Sequence, residues 1–256
     1  MKGMKKLIKL LKQIKIFIHG FILLNIIWMA AFLLTNTAVI PNPIRVYMNF
    51  GTVIEDKMLI HILYSLKRIF LGLALSLIVG IPAGILMAYS SVSNKILYPL
   101  VYFGYPIPKT ALLPIAMLLL GMRDSSKISI MFLVIVFQVI VSVRDSVNNI
   151  DQTMYQVIKS TGADKWQIIY HVTLPAILPQ LLTGIRVSLG AAVSILFFVE
   201  GYGTKFGVGY YILDAWSRIN YIDMYIGIIV ISVVGFLLFI FVDYISYKLC
   251  KWVNIQ

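Results

Sequence analysis

The chain alternates long apolar runs with short polar stretches, and the lengths of the runs set its architecture. A helix that crosses a bilayer needs about 17–25 mostly apolar residues. Within lipid its backbone must hydrogen-bond to itself, so helices are the default. Runs of suitable length lie near residues 16–34, 69–90, 127–144, 175–199 and 224–246. A further run, 96–122, carries Pro99, Pro106, Pro108 and Pro114 around Lys109. Each proline removes a backbone donor and crowds the preceding turn, so this run is expected as a broken or kinked span whose middle is buried against protein. The pattern predicts an all-α membrane protein of six transmembrane helices.

Charge orients these spans. Lys2, Lys5, Lys6, Lys9, Lys12 and Lys15 precede the first one, and residues 1–15 form a basic, amphipathic start to a permeation domain of 16–256. Lysine-rich flanks stay on the cytoplasmic side, and an even number of spans returns the C-terminus, with Lys248 and Lys251, to the same side. Lys67 and Arg68 fall just outside the second span in this scheme. The first apolar run, about 19 residues, is longer than a signal-peptide core and no small-x-small site follows, so an uncleaved span is expected. The amphipathic start either lies on the inner leaflet or only fixes orientation, and the second reading is the simpler.

Composition agrees with a membrane domain. The chain is 60% hydrophobic and 12% charged, with a mean hydropathy of +0.92, whereas soluble domains are nearer half apolar and a quarter charged. The formal net charge of +12 does not point to nucleic acid, because the lysines cluster at the ends of apolar runs. The single cysteine, Cys250, excludes an internal disulfide and a cysteine-based zinc cluster. His19, His61 and His171 are too dispersed to share a metal.

One stretch interrupts the apolar text: STGADKWQIIYHVTLP, residues 160–175. Asp151 is placed to cap a first helix over about 152–160. Gly162 permits the left-handed turn that ends it. Asp164 and Gln167 have capping-box spacing for a second helix, and Pro175 ends or bends that helix. A rigid, half-apolar helix pair of this kind, 151–175, is either a docking knob or an interfacial helix lying on the membrane.

The same stretch resembles the cytoplasmic signature of ABC importer permeases: E-A-A, three residues, Gly, nine residues, Ile-x-Leu-Pro. Gly162 matches the glycine, Val172 takes the isoleucine position and Leu174–Pro175 match the final pair, while Gln156, Val157 and Ile158 replace E-A-A. GIPAGILMAYS (80–90), YPIPKTALLPIAMLLLG (105–121) and VEGYGTKFGVGYYI (199–212) resemble the nitrate, sulfonate and taurine permease group. IPNP (40–43) does too, so the likeness covers nearly all the chain after its lysine-rich start.

The resemblance implies a type I ABC importer permease fold in a bacterial cytoplasmic (inner) membrane, usually as a homodimer. It implies a cytoplasmic ABC ATPase dimer that holds ATP and Mg, and an extracytoplasmic substrate-binding protein. This chain would bind no cofactor. It further implies that Gln156, Val157, Ile158, Gly162, Ala163, Asp164, Val172, Leu174 and Pro175 couple to the ATPase. Independently of the resemblance, no G-x-x-x-x-G-K-[ST] phosphate loop occurs.

Ionisable groups within spans are expensive and mark functional candidates. Lys109, with Tyr105 and Glu200 nearby in the scheme, is the candidate substrate path. Lys109 either attracts an anionic substrate or snorkels and neutralises a carboxylate. Glu200 pairs with Lys109, lines an outer gate, or sits in interfacial water. Arg186 is expected to snorkel, with Asp145 as an alternative partner. Gly80 and Gly84, and Gly184, Ser188 and Ala192, have small-xxx-small spacing that favours close helix packing. The group's substrates include nitrate-, sulfonate- and taurine-like anions and vitamin-precursor-like heterocycles. Lys109 leans toward an anion, the aromatic count toward a ring. The rival reading is an ion-gradient-driven secondary transporter; an intramembrane enzyme is disfavoured because no catalytic constellation is visible.

Overall fold

The computed structural model describes the backbone of residues 2–53 and 58–252, and side chains over 18–51 and 58–252. The described residues are helical, with no strand among them. The order is α1 (Lys2–Thr35), α2 (Pro43–Met48), α3 (Phe50–Val53), α4 (Leu59–Tyr89), α5 (Ser91–Gly104), α6 (Leu113–Leu120), α7 (Asp124–Asn148), α8 (Gln152–Ser160), α9 (Lys165–Ile168), α10 (Leu174–Glu200), α11 (Val208–Ser217) and α12 (Tyr221–Leu249). Among the described residues, five helices are long and apolar enough to cross a membrane, six if α5 and the Lys109–Leu120 segment count as one broken span. The side chains of the N-terminal lysines lie outside the described residues.

The break in that span follows from its prolines. α5 stops at Gly104, a 3-10 turn covers Lys109–Leu112, and the two halves meet at 90°. Pro106 and Pro108 withhold two successive chances for a helical hydrogen bond. Lys109 donates instead to the carbonyls of Gly104 and Tyr105, which satisfies acceptors that the end of α5 leaves open.

The chain divides into two compact units, 1–58 with 212–228 and 59–211 with 229–256. In the first, Trp28 stacks on Tyr225 with ring centroids 5.1 Å apart, and Tyr47 Oη donates to Asn25 Oδ1 at 2.8 Å. In the second, α4, α7 and α10 make the core. Their inner faces carry Ile69, Ile130, Ile135, Val143, Leu189 and Leu196, all essentially inaccessible. Without a hydrophobic drive between helices in lipid, close approach supplies the contact energy. A Cβ on Gly80 would lie 2.7 Å from Val139 Cγ1, and one on Gly84 2.7 Å from Val143 Cβ. These glycines therefore serve packing, and Gly184 does the same, with Ser142 Oγ 2.7 Å from the position of its absent Cβ.

Candidate functional site

Three groups of polar residues lie on this core: a charged cluster at one end, a hydroxyl cluster at the other, and a cavity beside the broken span.

The charged cluster centres on Arg68, which is 1% exposed. All five of its N–H donors are used. Nε and Nη2 reach Asp124 Oδ1 at 3.0 and 2.7 Å, Nη1 reaches Glu200 Oε1 at 2.6 Å and the Phe206 carbonyl at 2.8 Å, and Nη2 reaches Thr204 Oγ1 at 3.0 Å. Glu200 is wholly buried. Ser65 Oγ stands 2.9 and 2.8 Å from its two oxygens, and the Gly209 N–H donates to Oε2 at 2.9 Å. Lys127, also wholly buried, donates to the carbonyls of Met122 and Gly203. The loop 201–207 is thus tied to α4 and α7. Gly207 adopts φ +136° where it passes Glu200 and Arg68, a backbone that side chains rarely tolerate.

This arrangement corrects two expectations. Glu200 does not pair with Lys109; it is buried on Arg68, because the C-terminus of α10 meets the first turns of α4 rather than the broken span. Arg68 is not a flanking charge outside the second span, since α4 begins nine residues earlier, at Leu59. The sequence holds the signal: His61, Ser65, Arg68, Gly72 and Ser76 recur at helical spacing, and all five face inward. Arg186 has a partner that the sequence reading did not assign it: its Nη1 lies 3.0 Å from Asp243 Oδ1, both side chains being about half exposed.

The second group belongs to the segment 151–175. Asp151 Oδ1 accepts from the Thr153 N–H at 2.9 Å, and that bond holds its carboxyl below the usual range. Gly162 turns the chain at φ +80°. Asp164 and Gln167 form a reciprocal capping box at 2.7 and 2.8 Å. Between α9 and α10 the chain makes a π-turn, Ile169–Thr173, in which the Leu174 N–H donates to the Ile169 carbonyl, five residues back. Pro175 has no N–H and its ring crowds the carbonyl four residues before it; a widened turn relieves both problems.

Val157, Ile158, Val172 and Pro175 come together with Met154 and Trp252 along one groove of about 600 Å³. Val157 is 63% exposed, Gln156, Gly162 and Asp164 are exposed, and Ala163 and Leu174 are half-buried. The Tyr89 and Thr173 hydroxyls lie 2.6 Å apart. Tyr155 from α8 packs at right angles to the Tyr89 ring, and its own hydroxyl is buried with no hydrogen-bond partner among the described residues. Burial pushes that phenol up to about 12.

The third group is a cavity of about 340 Å³ lined by Tyr105, Lys109, Thr110, Phe137, Gln138 and Ser188, among others. The Lys109 ammonium lies 5.1 Å from the Phe137 ring centre and 5.5 Å from that of Tyr105. Tyr105 Oη donates to Gln138 Oε1 at 2.5 Å. Lys109 and Tyr105 are therefore neighbours, Glu200 is not among the lining residues, and no carboxylate is. The sequence assigns Ser188 only to helix packing and gives Gln138 no role, although a glutamine within an otherwise apolar span is the available signal. Among the described residues no cluster of three metal-ligating side chains occurs.

Comparison with known proteins adds to this geometry. The chain is 30% identical over 238 residues to the taurine transport system permease protein of Escherichia coli, covering 90% of this chain and 86% of the other. It is 33% identical to a putative aliphatic sulfonates transport permease protein of Bacillus subtilis, over 86% of this chain and 80% of that one. It is 28% identical to a formylaminopyrimidine transport permease protein of Halalkalibacterium halodurans, over 91% and 93%. In fold it resembles a chain of an inward-facing methionine ABC transporter, with a TM-score of 0.65 at 17% identity over 75% of this chain and 95% of that one. A bacterial ABC transporter that imports alginate gives 0.59 at 19% identity over 94% and 99%. These neighbours share the type I ABC importer permease fold. Residues 80–250 match the family of binding-protein-dependent transport system inner membrane components: this chain belongs to that family, as a multi-pass permease subunit of an ABC importer whose ATPase is a separate subunit.

Proposed function

We propose that this permease imports a small anionic nutrient of the sulfonate or taurine kind, and that the Lys109 cavity lies on the substrate path. One observation carries the reading: a lysine faces a cavity that no carboxylate lines. The two carbonyls that bind the ammonium orient it without cancelling its charge. In a low-dielectric setting such a cation favours an anion strongly. The names of the taurine and sulfonate relatives agree.

In this reading two copies of the chain form the path, with the N- and C-termini on the cytoplasmic side of a bacterial inner membrane. An ATPase dimer holding ATP and Mg docks on 151–175, through the groove that contains Val157, Ile158, Val172 and Pro175. A binding protein delivers substrate to the opposite face, where Glu200 and Arg68 close the bundle.

Proteoliposomes holding the permease and its ATPase, with the binding protein supplied outside, test both parts. Taurine and methanesulfonate uptake should be ATP-dependent, and Lys109→Gln should lower it about tenfold or more, the scale of one lost charge contact. Uptake of a neutral aminopyrimidine in place of both anions would overturn the anion reading. Gly162→Trp should abolish ATP-driven uptake; normal transport by that variant with its ATPase present would sink the docking assignment.

A further inference from the structure

A second cavity, of about 450 Å³, adjoins the first. It is lined by Tyr98, Val101, Tyr102, Phe103, Tyr105, Pro106, Val141 and Arg144. Tyr105 belongs to both linings. On α7 the residues of the two cavities form one stripe: Val134, Phe137, Gln138, Val141 and Arg144 fall within about a third of the helix circumference at 100° per residue. A solute leaving the Lys109 cavity along that stripe passes Tyr105 and meets Arg144.

The chemistry of this second cavity is specific. No carboxylate lines it. Arg144 is mostly buried, with 19% of its side chain exposed. Asp145 binds its Nε and Nη2 at 2.9 and 2.7 Å, and Nη1 has no hydrogen-bond partner among the described residues. The guanidinium stands 5.5 Å from the Tyr98 ring centre, which fixes the plane of the fork. Tyr98 in turn stacks on Tyr102 at 5.9 Å. Four aromatic side chains and a planar cation, held by Asp145 on one edge and open at Nη1, make a site for an oxyanion carried on a short apolar or flat body.

We infer that this arginine–aromatic cavity is a second anion station, which receives the substrate from the Lys109 cavity past Tyr105. The inference rests on the proposed anion path and adds a place to it. Two weak cationic stations in series suit transport better than one strong one, because an ion must leave as readily as it enters. The class of ligand is a small sulfonate or carboxylate that fits a volume of this size.

Charge-selective thiol labelling of the assembled transporter separates the two stations. In a Cys250→Ser background, Thr110→Cys reports on the Lys109 cavity and Val141→Cys on the second. Each is treated with the anionic sulfonatoethyl and the cationic trimethylammonioethyl methanethiosulfonate, and the rate ratio is read. The anionic reagent should be preferred at both positions. Arg144→Gln should cut the ratio about tenfold at Val141→Cys while leaving Thr110→Cys within about twofold, and Arg144→Lys should restore most of it. If Arg144→Gln fails to assemble, the ratio at Val141→Cys with Arg144 present decides, and a value at or below one overturns the station. A ratio that ignores Arg144→Gln also overturns it, with the Lys109 path intact. Loss of anion preference at Thr110→Cys would overturn the path itself.

Discussion

The two ends of the α4–α7–α10 core are held in opposite ways. At one end Arg68, Asp124 and Glu200 form an ionic network, buried at Arg68 and Glu200, in which every donor of Arg68 is used, and buried Lys127 ties two backbone carbonyls beside it. At the other end α4, α8 and the π-turn meet through one hydroxyl pair, Tyr89–Thr173, and a tyrosine edge contact. Removing one member of a buried charge pair strands the other, whereas losing a neutral hydrogen bond costs far less. The first end is therefore locked and the second only latched. If the ATPase docks on 151–175 as proposed, the compliant end is the driven one and the far end is its fixed reference.

Four substitutions or titrations can break or sharpen this contrast. The largest effect is expected from Glu200→Ala, which takes from buried Arg68 the carboxylate at Nη1, leaving only Asp124, and strands Ser65 Oγ and the Gly209 N–H; a loss of about 3–5 kcal/mol should show as a collapse of folded yield and of thermal stability in detergent. Gly162→Ala forces an L-residue into φ +80° and should cost about 1–2 kcal/mol, read as faster proteolysis confined to 151–175. Tyr89→Phe or Thr173→Val removes the latch. Either should cost about 1 kcal/mol, raising hydrogen exchange at 165–175 while amides of 200–209 stay protected. Equal loss of protection at both ends would defeat the contrast.

The smallest effect is a pH dependence. The Tyr155 phenol is raised to about 12 from an ordinary value near 10, because burial favours its neutral form. Its contribution is complete below the unfolded value and is lost as pH rises through the interval from about 10 to about 12. Alkaline loosening of the latched end should begin in that window, and Tyr155→Phe should remove that component. Persistence of the same component in Tyr155→Phe would assign it to another group.

Much of the helical architecture was legible in the chain because lipid imposes length and apolarity on every spanning segment. The proline-rich break, the capping box at Asp164 and the glycine turn at Gly162 were legible too, since each is a local rule. The Arg68–Glu200 pair was not. It joins residues 132 apart, and charge counting reads an arginine near a span end as solvent-facing whatever its helical phase. Counting phase instead of distance from the span end would have placed Arg68 on the inner stripe. The Lys109 cavity was half legible: the lysine stood out, but Gln138 and Ser188 belong to other helices and are joined to it only by packing. The substrate was the least legible part, because no motif in the chain carries it and, in the proposed reading, a separate binding protein delivers it.

The π-turn at Ile169–Thr173 has one more consequence. It holds one residue beyond the α-helical count, so the segment before it is phased against α10 by chain length rather than by any particular side chain. Deleting a single residue there would leave every composition-based feature in place and rotate Trp166 and its neighbours by about 100°. Which face this corner of the protein offers to a partner is thus written as an arithmetic remainder, and it is altered more easily by an insertion or deletion than by a substitution.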